Sequence, residues 1–331
     1  MEVLAGTVLG QMDAVTNDYF IIDGGKAADL YFQQSFNLNF FLKQQKGLWK
    51  RPGGGEAIRV PFRYDGNVTG FYARGGGLSS DKIDSITAVF FNWRHCYSNG
   101  TVYRIDELKN AGSEGLINLT TEETYGAVES ISKTLAESFY EAPSGNSTRL
   151  TGLQNLCNET ATLDYGNICE NDIVAADGVT KPWEGKVTST SETINLDVIR
   201  TLRSTAEYGS GSDDEPTLIV TTKAIYNTIK SILQLQQRFT EKDSEPVKAG
   251  FQGVHFEGAS IYPDKFCPAG WMFALNPNHF GFAVHKQGLF MRTPWAVIEG
   301  SPQDKTMKIL FDGNTICNNR RAHAAHSNLS A

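Results

Sequence analysis

Residues 57–64 read Ala57-Ile58-Arg59-Val60-Pro61-Phe62-Arg63-Tyr64, and residues 86–97 carry Ile86, Val89, Phe90, Phe91, Trp93, Cys96 and Tyr97. In the first stretch Ile58, Val60, Phe62 and Tyr64 fall on one side and Arg59 and Arg63 on the other, the period of two expected of a strand with one buried face. Between the two stretches lie Asp65-Gly66-Asn67 and Gly75-Gly76-Gly77, which are turn and loop chemistry. The pattern from Gly53 to Val102 predicts a long hairpin that stands clear of a compact body and buries its apolar face on another chain. That is an assembly signal.

Upstream, an aromatic-rich run carries Leu30, Tyr31, Phe32, Phe36, Leu38, Phe40, Phe41 and Leu42. The spacing over Asp29–Phe36 suits a short helix, while Asn37–Leu42 fits helix or strand. Each large side chain gains roughly 1.5–3 kcal/mol when buried, so the run is either core or an arm that packs on a neighbouring subunit. Downstream, Asn99-Gly100 is a tight-turn signal. Thr120-Thr121-Glu122-Glu123 matches a capping box, with Thr120 as cap and Glu123 as its reciprocal partner. Tyr125, Val128, Ile131, Leu135 and Phe139 then recur at helical spacing until Pro143, which predicts a helix of about 30 Å with those five residues as its core line.

Residues 144–192 are turn-rich and predict irregular structure with short strands. A helix over Leu196–Tyr208 uses Ile194, Leu196, Ile199, Leu202 and Ala206. Thr217-Leu218-Ile219-Val220 reads as a buried strand feeding a helix capped by Thr221 or Thr222, with Ile225, Tyr226, Ile229, Ile232, Leu233 and Leu235 on its inner side. The last third predicts strands over residues 253–256, 259–264, 270–276, 280–284 and 306–317. The tail after Arg320-Arg321 ends in small and polar residues, with His323 and His326 read as exposed. This order of elements defines an α+β chain.

At 331 residues the chain is long enough for two substructures. Its apolar content of 40% and charged content of 20% are those of a folded protein. A net charge of −7 argues against a protein whose main task is to wrap nucleic acid. Cys96, Cys157, Cys169, Cys267 and Cys317 are odd in number and lack a CxxC pair, so free thiols are expected rather than a disulfide framework or a zinc site. The start lacks signal-peptide character, and no segment approaches the ~20 apolar residues of a membrane span.

Catalytic chemistry is not indicated. The six histidines form no HExxH pattern, and His279 fits a turn better than a general base. The glycine runs lack GxGxxG and GxxxxGK[ST] order, and no GxSxG occurs. Asp213-Asp214 and Glu122-Glu123 sit in a polar loop and at a helix start, positions of solvated surface. The expectation is no catalytic residue, no metal and no cofactor. Arg59, Arg63 and Arg74 interleave with Glu56, Asp65, Asp81 and Asp84, a mixed-sign pattern that fits protein contacts better than phosphate contacts.

Phe256-Glu257-Gly258-Ala259-Ser260-Ile261-Tyr262-Pro263-Asp264, Gly270-Trp271-Met272-Phe273-Ala274-Leu275-Asn276 and Gly313-Asn314-Thr315-Ile316-Cys317-Asn318-Asn319-Arg320-Arg321 follow this order of elements. From about Asp23 to Arg321 the chain resembles tailed-bacteriophage major capsid proteins of the HK97-like fold. The resemblance implies an N-terminal arm and lead-in (1–50), an extended hairpin loop (51–104), a peripheral domain with a long spine helix (105–149), a mixed α/β axial domain (150–298) and a return strand with a tail (299–331). It implies hexamers and pentamers in an icosahedral shell around double-stranded DNA contacted non-specifically. A separate scaffolding protein, a portal and a decoration protein would be its partners, with assembly in the host cytoplasm and residence in the virion.

The short start leaves little room for a scaffolding domain, and no lysine–asparagine crosslink is expected. Candidate contacts between subunits are Arg59, Phe62, Arg63, Tyr64, Phe71, Arg74 and Trp93. On this reading Phe62→Asp should leave the monomer folded and block the shell. An encapsulin-like compartment, a tail or baseplate protein and an α/β hydrolase are the alternatives.

Overall fold

The computed structural model describes residues 21–22, 26–27, 35–109, 119–142, 148–160, 164–175, 180–206, 215–234 and 254–331. They fall into two compact units. The larger takes its described residues from Ser35–Arg94, Ala136–Lys286 and Gly313–Ala331, the smaller from Met1–Gln34, His95–Leu135 and Gln287–Asp312.

The larger unit is built on a six-stranded mixed sheet in the order Val254–Phe256, Ala259–Pro263, Leu218–Thr221, Met272–Leu275, Ala324–His326, Val187–Thr188. Leu218–Thr221 runs parallel to Ala259–Pro263 and antiparallel to Met272–Leu275. The three strands Leu218–Thr221, Met272–Leu275 and Ala324–His326 are buried at every position, which is why they read as unbroken small or apolar runs. The helices Leu196–Ala206 and Lys223–Gln234 deliver Ile199, Leu202, Ile225 and Ile229 onto Ile219, Ile261, Met272 and Ala324 in one core. The Ile225 N–H donates to the Thr222 hydroxyl at 3.5 Å, so Thr222 is the cap of the second helix.

The C-terminal segment corrects the sequence reading. Ala324–His326 is a central strand between Met272–Leu275 and Val187–Thr188, and His323 and His326 are buried. Alanines are needed there because the strand has close neighbours on both sides, and small residues in sequence look like a fading tail.

The aromatic run divides at Ser35. Phe36–Leu38 is an α-helical turn that widens into a π turn over Asn39–Lys43, and Phe36, Leu38, Phe41 and Leu42 are core residues, not an arm. The Phe41 ring lies 5.9 Å from Phe139 and 5.3 Å from Phe280, and Phe36 stacks on Tyr262 at 4.0 Å. Buried Asp264 anchors the start of the segment: the Ser35 hydroxyl and the Asn37 N–H donate to its Oδ2 at 2.6 and 3.1 Å, and the Phe266 N–H donates to its Oδ1 at 2.9 Å. The part of the expected arm before Ser35, with Tyr31 and Phe32, lies outside the described residues.

Ala57–Arg63 and Ile86–Asn92 pair antiparallel as expected, with Ile58 opposite Phe91 and Val60 opposite Val89. The pair is not free of the body. Phe91 lies edge-on to Tyr165 at 5.3 Å, the Phe90 N–H donates to the Gly166 carbonyl, and Phe62 stacks on Trp183 at 4.7 Å.

That supporting segment is held by Arg320, which is 1% exposed. Its guanidinium donates to the carbonyls of Leu156 (2.7 Å), Asn158 (2.6 Å), Trp183 and Asn155 (both 3.2 Å) and lies 5.2 Å from the centre of the Tyr165 ring. Gly185 is required beside it, because a Cβ there would collide with the Asn158 carbonyl and the guanidinium.

In the smaller unit the first part of the long strand Ser301–Cys317 pairs with Met291–Arg292, Ala296–Ile298 and Arg94–Val102. The strand Arg94–Val102 runs straight through Asn99-Gly100, so the predicted turn does not form. A Cβ on Gly100 would sit 3.0 Å from Met307 Cε and 3.2 Å from the Glu123 carbonyl, so this glycine serves close packing rather than a turn. The expected long helix is present as Leu119–Ser138, already helical at Thr120, so Thr120 is not its cap. The Glu123 carboxylate instead accepts the Thr101 N–H. Ile131 and Leu135 are buried as predicted and Val128 is half-buried, whereas Tyr125 is exposed, Ala127 joins the buried line and Phe139 lies just past the helix end.

Replacing Arg320 by Leu leaves the carbonyls of Leu156, Asn158 and Trp183 without the guanidinium, at about 1–3 kcal/mol for each group left unsatisfied, while the Asn155 carbonyl keeps the Asn158 N–H. Arg320→Lys is also expected to cost at least about 2 kcal/mol, because an ammonium cannot reach four divergent acceptors. Urea unfolding of both variants checks this, and a lysine variant of wild-type stability would refute the role given to the guanidinium fork.

Candidate assembly surface

Each predicted contact residue has a definite place, and they do not form one surface. Arg59 and Arg63 are exposed on the hairpin, the Arg59 guanidinium lying 6.0 Å from the Phe90 ring and Arg63 lining a cleft at the hairpin root. Trp93 occupies the break between two strands, where its indole N–H donates to the Gly55 carbonyl at 2.8 Å and its ring meets His285 edge-on at 5.8 Å. Phe62 is half-buried on this chain's own Trp183. The apolar face assigned to a neighbour is therefore largely covered from within. The reason is sequence distance: Trp183 and Tyr165 come from an irregular segment whose pattern announces no partner for the hairpin.

The loop over residues 64–85 is different. Its neck is closed by the Tyr64 N–H to the Ser85 carbonyl (2.9 Å), the Tyr64 hydroxyl to the Asp84 carbonyl (2.5 Å) and Arg63 Nε to the Ser85 hydroxyl (3.2 Å). Beyond the neck, Phe71 is fully exposed and Tyr72 and Leu78 are each 70% exposed. Arg74 sits on the same excursion, in the turn closed by the Gly76 N–H to the Ala73 carbonyl. Of the predicted contacts, Phe71 and Arg74 are the two that this loop presents outward.

Residues missed from sequence lie in the smaller unit. The short helix Arg104–Lys109 has no buried residue, and Ile105 and Leu108 are 64% and 63% exposed. Their i, i+3 spacing put them on one face, which was the available signal. The helix is held by the Arg104 N–H to Asp304 Oδ1 at 3.1 Å and by Lys305 against Glu107 at 3.4 Å. Val297 and Met291 are exposed in the same unit.

A cleft of about 370 Å³ opens at the root of the hairpin in the larger unit, lined by Pro61 to Tyr64, by Thr180, Pro182 and Trp183, and by His279, Asn318, Asn319 and Arg321. Behind it His323 is fully buried; its Nδ1 accepts the Asn276 N–H at 3.1 Å, and burial, with His279 nearby, lowers its pKa to about 3. Burial raises the thiol of Cys157 to about 12 and moves that of Cys317 in the same direction, so neither is a thiolate nucleophile at neutral pH. Among the described residues no three metal-ligating side chains cluster, and no helix is long and apolar enough to cross a membrane.

No family model and no curated protein matches the sequence. Solved structures do match over nearly the full length. The chain is similar to a capsid protein of Cyanophage A-1(L), with a TM-score of 0.69 at 14% identity, covering 96% of this chain and 99% of that one. It is similar to the capsid protein of a native GTA particle (0.60, 10%, 94% and 96%). It also resembles the SrpI encapsulin of Synechococcus elongatus PCC 7942 (0.54, 10%, 92% and 93%). The chain has the HK97-like capsid fold.

Two outcomes follow. Phe62→Asp places a carboxylate against Trp183 and should destabilise the isolated chain by about 1–3 kcal/mol, in contrast to the first expectation, while Phe71→Asp should change it by less than about 0.5 kcal/mol. Thermal melts of the two variants test the contrast, and equal effects would reject it. For His323 the unfolded chain takes up a proton near pH 6.5 that the native chain refuses until about pH 3, so its contribution is complete above 6.5 and drains as pH falls. In that window His323→Gln should flatten the pH dependence of stability by about 1.4 kcal/mol per pH unit, read from urea unfolding at successive pH values.

Proposed function

We propose that this chain is a major capsid protein that self-assembles as hexamers and pentamers into an icosahedral shell around the double-stranded DNA of a tailed phage. The observation that carries the reading is the loop over residues 64–85, which projects Phe71, Tyr72 and Leu78 into solvent from a hydrogen-bonded neck. Three large apolar side chains on one excursion need a cover, and a neighbouring copy supplies it in a closed ring. The likeness in fold to a phage capsid protein over the whole chain supports this choice of assembly.

In this reading the loop is the extended arm over the adjacent subunit, Leu119–Ser138 is the spine helix, and most of residues 150–298 form the axial domain. Exposed Ile105, Leu108 and Val297 offer a second contact surface. The protein acts by packing, not by catalysis. Scaffolding, portal and decoration proteins are separate partners, DNA is confined without sequence readout, and the product is a virion shell assembled in the host cytoplasm. The match to an encapsulin favours a second reading, a compartment around protein cargo.

Phe71→Asp combined with Leu78→Asp should keep the wild-type melt and abolish shells. Negative-stain electron microscopy and light scattering decide it. Normal shells from the double variant would remove the loop from the assembly surface, and enclosed protein in place of DNA in wild-type particles would select the compartment.

A further inference from the structure

The cleft at the hairpin root has a charge pattern that shell packing does not explain. Of the eleven residues that line it, two are arginines, Arg63 and Arg321, and none is acidic. Neither arginine has an ion pair among the described residues. Arg63 donates to two neutral acceptors, the Ser85 hydroxyl and the Asn67 side-chain carbonyl, both at 3.2 Å. Arg321 Nε is shielded from solvent and has no hydrogen-bond partner among the described residues.

A third cation stands close: the half-buried Lys186 ammonium has its pKa lowered by burial and by the charge of Arg321, with Glu184 the carboxylate that partly offsets this. The lining also includes the neutral polar side chains of Asn318, Asn319 and Thr180, together with His279, whose Nδ1 lies 2.8 Å from Asn318 Oδ1. Two guanidinium groups without an ion pair among the described residues line one concave surface, and they set a local positive potential against the chain's net charge of −7, which an anion can join. One carboxylate would balance one arginine. Two arginines match a dianion, and a tetrahedral one can accept from several directions at once; Lys186, whose ammonium donates to the Thr205 carbonyl, adds only to the surrounding positive potential.

We propose that this cleft is a binding site for a phosphate group, with Arg63 and Arg321 as its cationic ligands and Asn318 and Asn319 as neutral donors. The Pro61, Phe62 and Pro182 wall excludes water from one side and strengthens the charge interaction there. The phosphate is either a free ion or part of a nucleic-acid backbone. The inference rests on the geometry of the larger unit and not on the shell reading.

The test is a thermal-shift titration of the full chain with inorganic phosphate against chloride at equal ionic strength. Phosphate should raise the melting temperature saturably, and Arg321→Gln should abolish the rise. Should Arg321→Gln fail to fold, Arg63→Gln, on an exposed strand position, should reduce the shift at least tenfold in apparent affinity. A rise that is equal in wild type and both variants is a general salt effect and overturns the site. Fluorescence anisotropy with a duplex DNA oligonucleotide separates the sources. Arg321-dependent DNA binding displaced by phosphate assigns the backbone, and phosphate binding without it assigns the free ion. Shell formation by light scattering in the same variants keeps this result apart from the assembly reading.

Discussion

The support of the hairpin root depends on one buried cation. Arg320 lies inside the protein without a hydrogen-bonded carboxylate among the described residues, and burial lowers its pKa. Desolvating such a charge costs several kcal/mol, so its surroundings must return a comparable amount. They do so with four carbonyl dipoles and the face of Tyr165. Those carbonyls come from two places, the end of the short helix Leu153–Leu156 with the turn after it, and Trp183. A guanidinium has a rigid planar fork, so satisfying it fixes both segments against the C-terminal strand. Trp183, placed in this way, carries Phe62 and with it the root of the hairpin.

This chain of contacts explains why the two ends of the hairpin behave differently. The root is tied through Phe62, Phe91 and the Gly166 carbonyl to a segment that is itself pinned. Past the neck the hydrogen bonds are local, such as the Gly76 N–H to the Ala73 carbonyl and the Ser79 hydroxyl to Asp81 at 2.7 Å. A rigid root aims the loop, and an uncommitted tip leaves it able to take the shape of whatever covers it. That division suits a contact that must form repeatedly and in more than one local geometry.

Local periodicity was legible in the sequence and the identity of partners was not. The alternation of Ile58, Val60, Phe62 and Tyr64 gave the strand and its buried side correctly, because a strand's geometry is set by adjacent residues. It could not say that Trp183 would cover Phe62. Asn99-Gly100 failed for a related reason: glycine supports a turn by its backbone freedom and a close approach by its missing side chain, and only the presence of Met307 and Glu123 separates the two. The stretch Ala322-His323-Ala324-Ala325-His326 misled most, since a strand buried on both faces next to close neighbours needs small residues, and histidine looks exposed until its hydrogen bonds are known. Of the candidate contacts, Phe71 and Arg74 are exposed on a loop whose sequence has no periodicity to pair it with another element.

Identities of 10–14% with the solved capsid and encapsulin structures show how little of this fold is specified by particular side chains. What such proteins have to share is the placement of surfaces, and many sequences can hold a loop and a helix in the same positions. Cores tolerate wide substitution when volume and pattern are kept. Interfaces repeated around a ring tolerate it differently: each change occurs in every copy, and a complementary change on the same chain restores the fit everywhere at once. In such a ring, assembly energy accumulates from many modest contacts, each reduced by the cost of ordering the loops that make it. If the chain assembles as proposed, it combines a stiff, self-sufficient root, here secured by Arg320, with a tip whose Phe71, Tyr72 and Leu78 are held by few contacts within the chain and can change together with the surface that receives them.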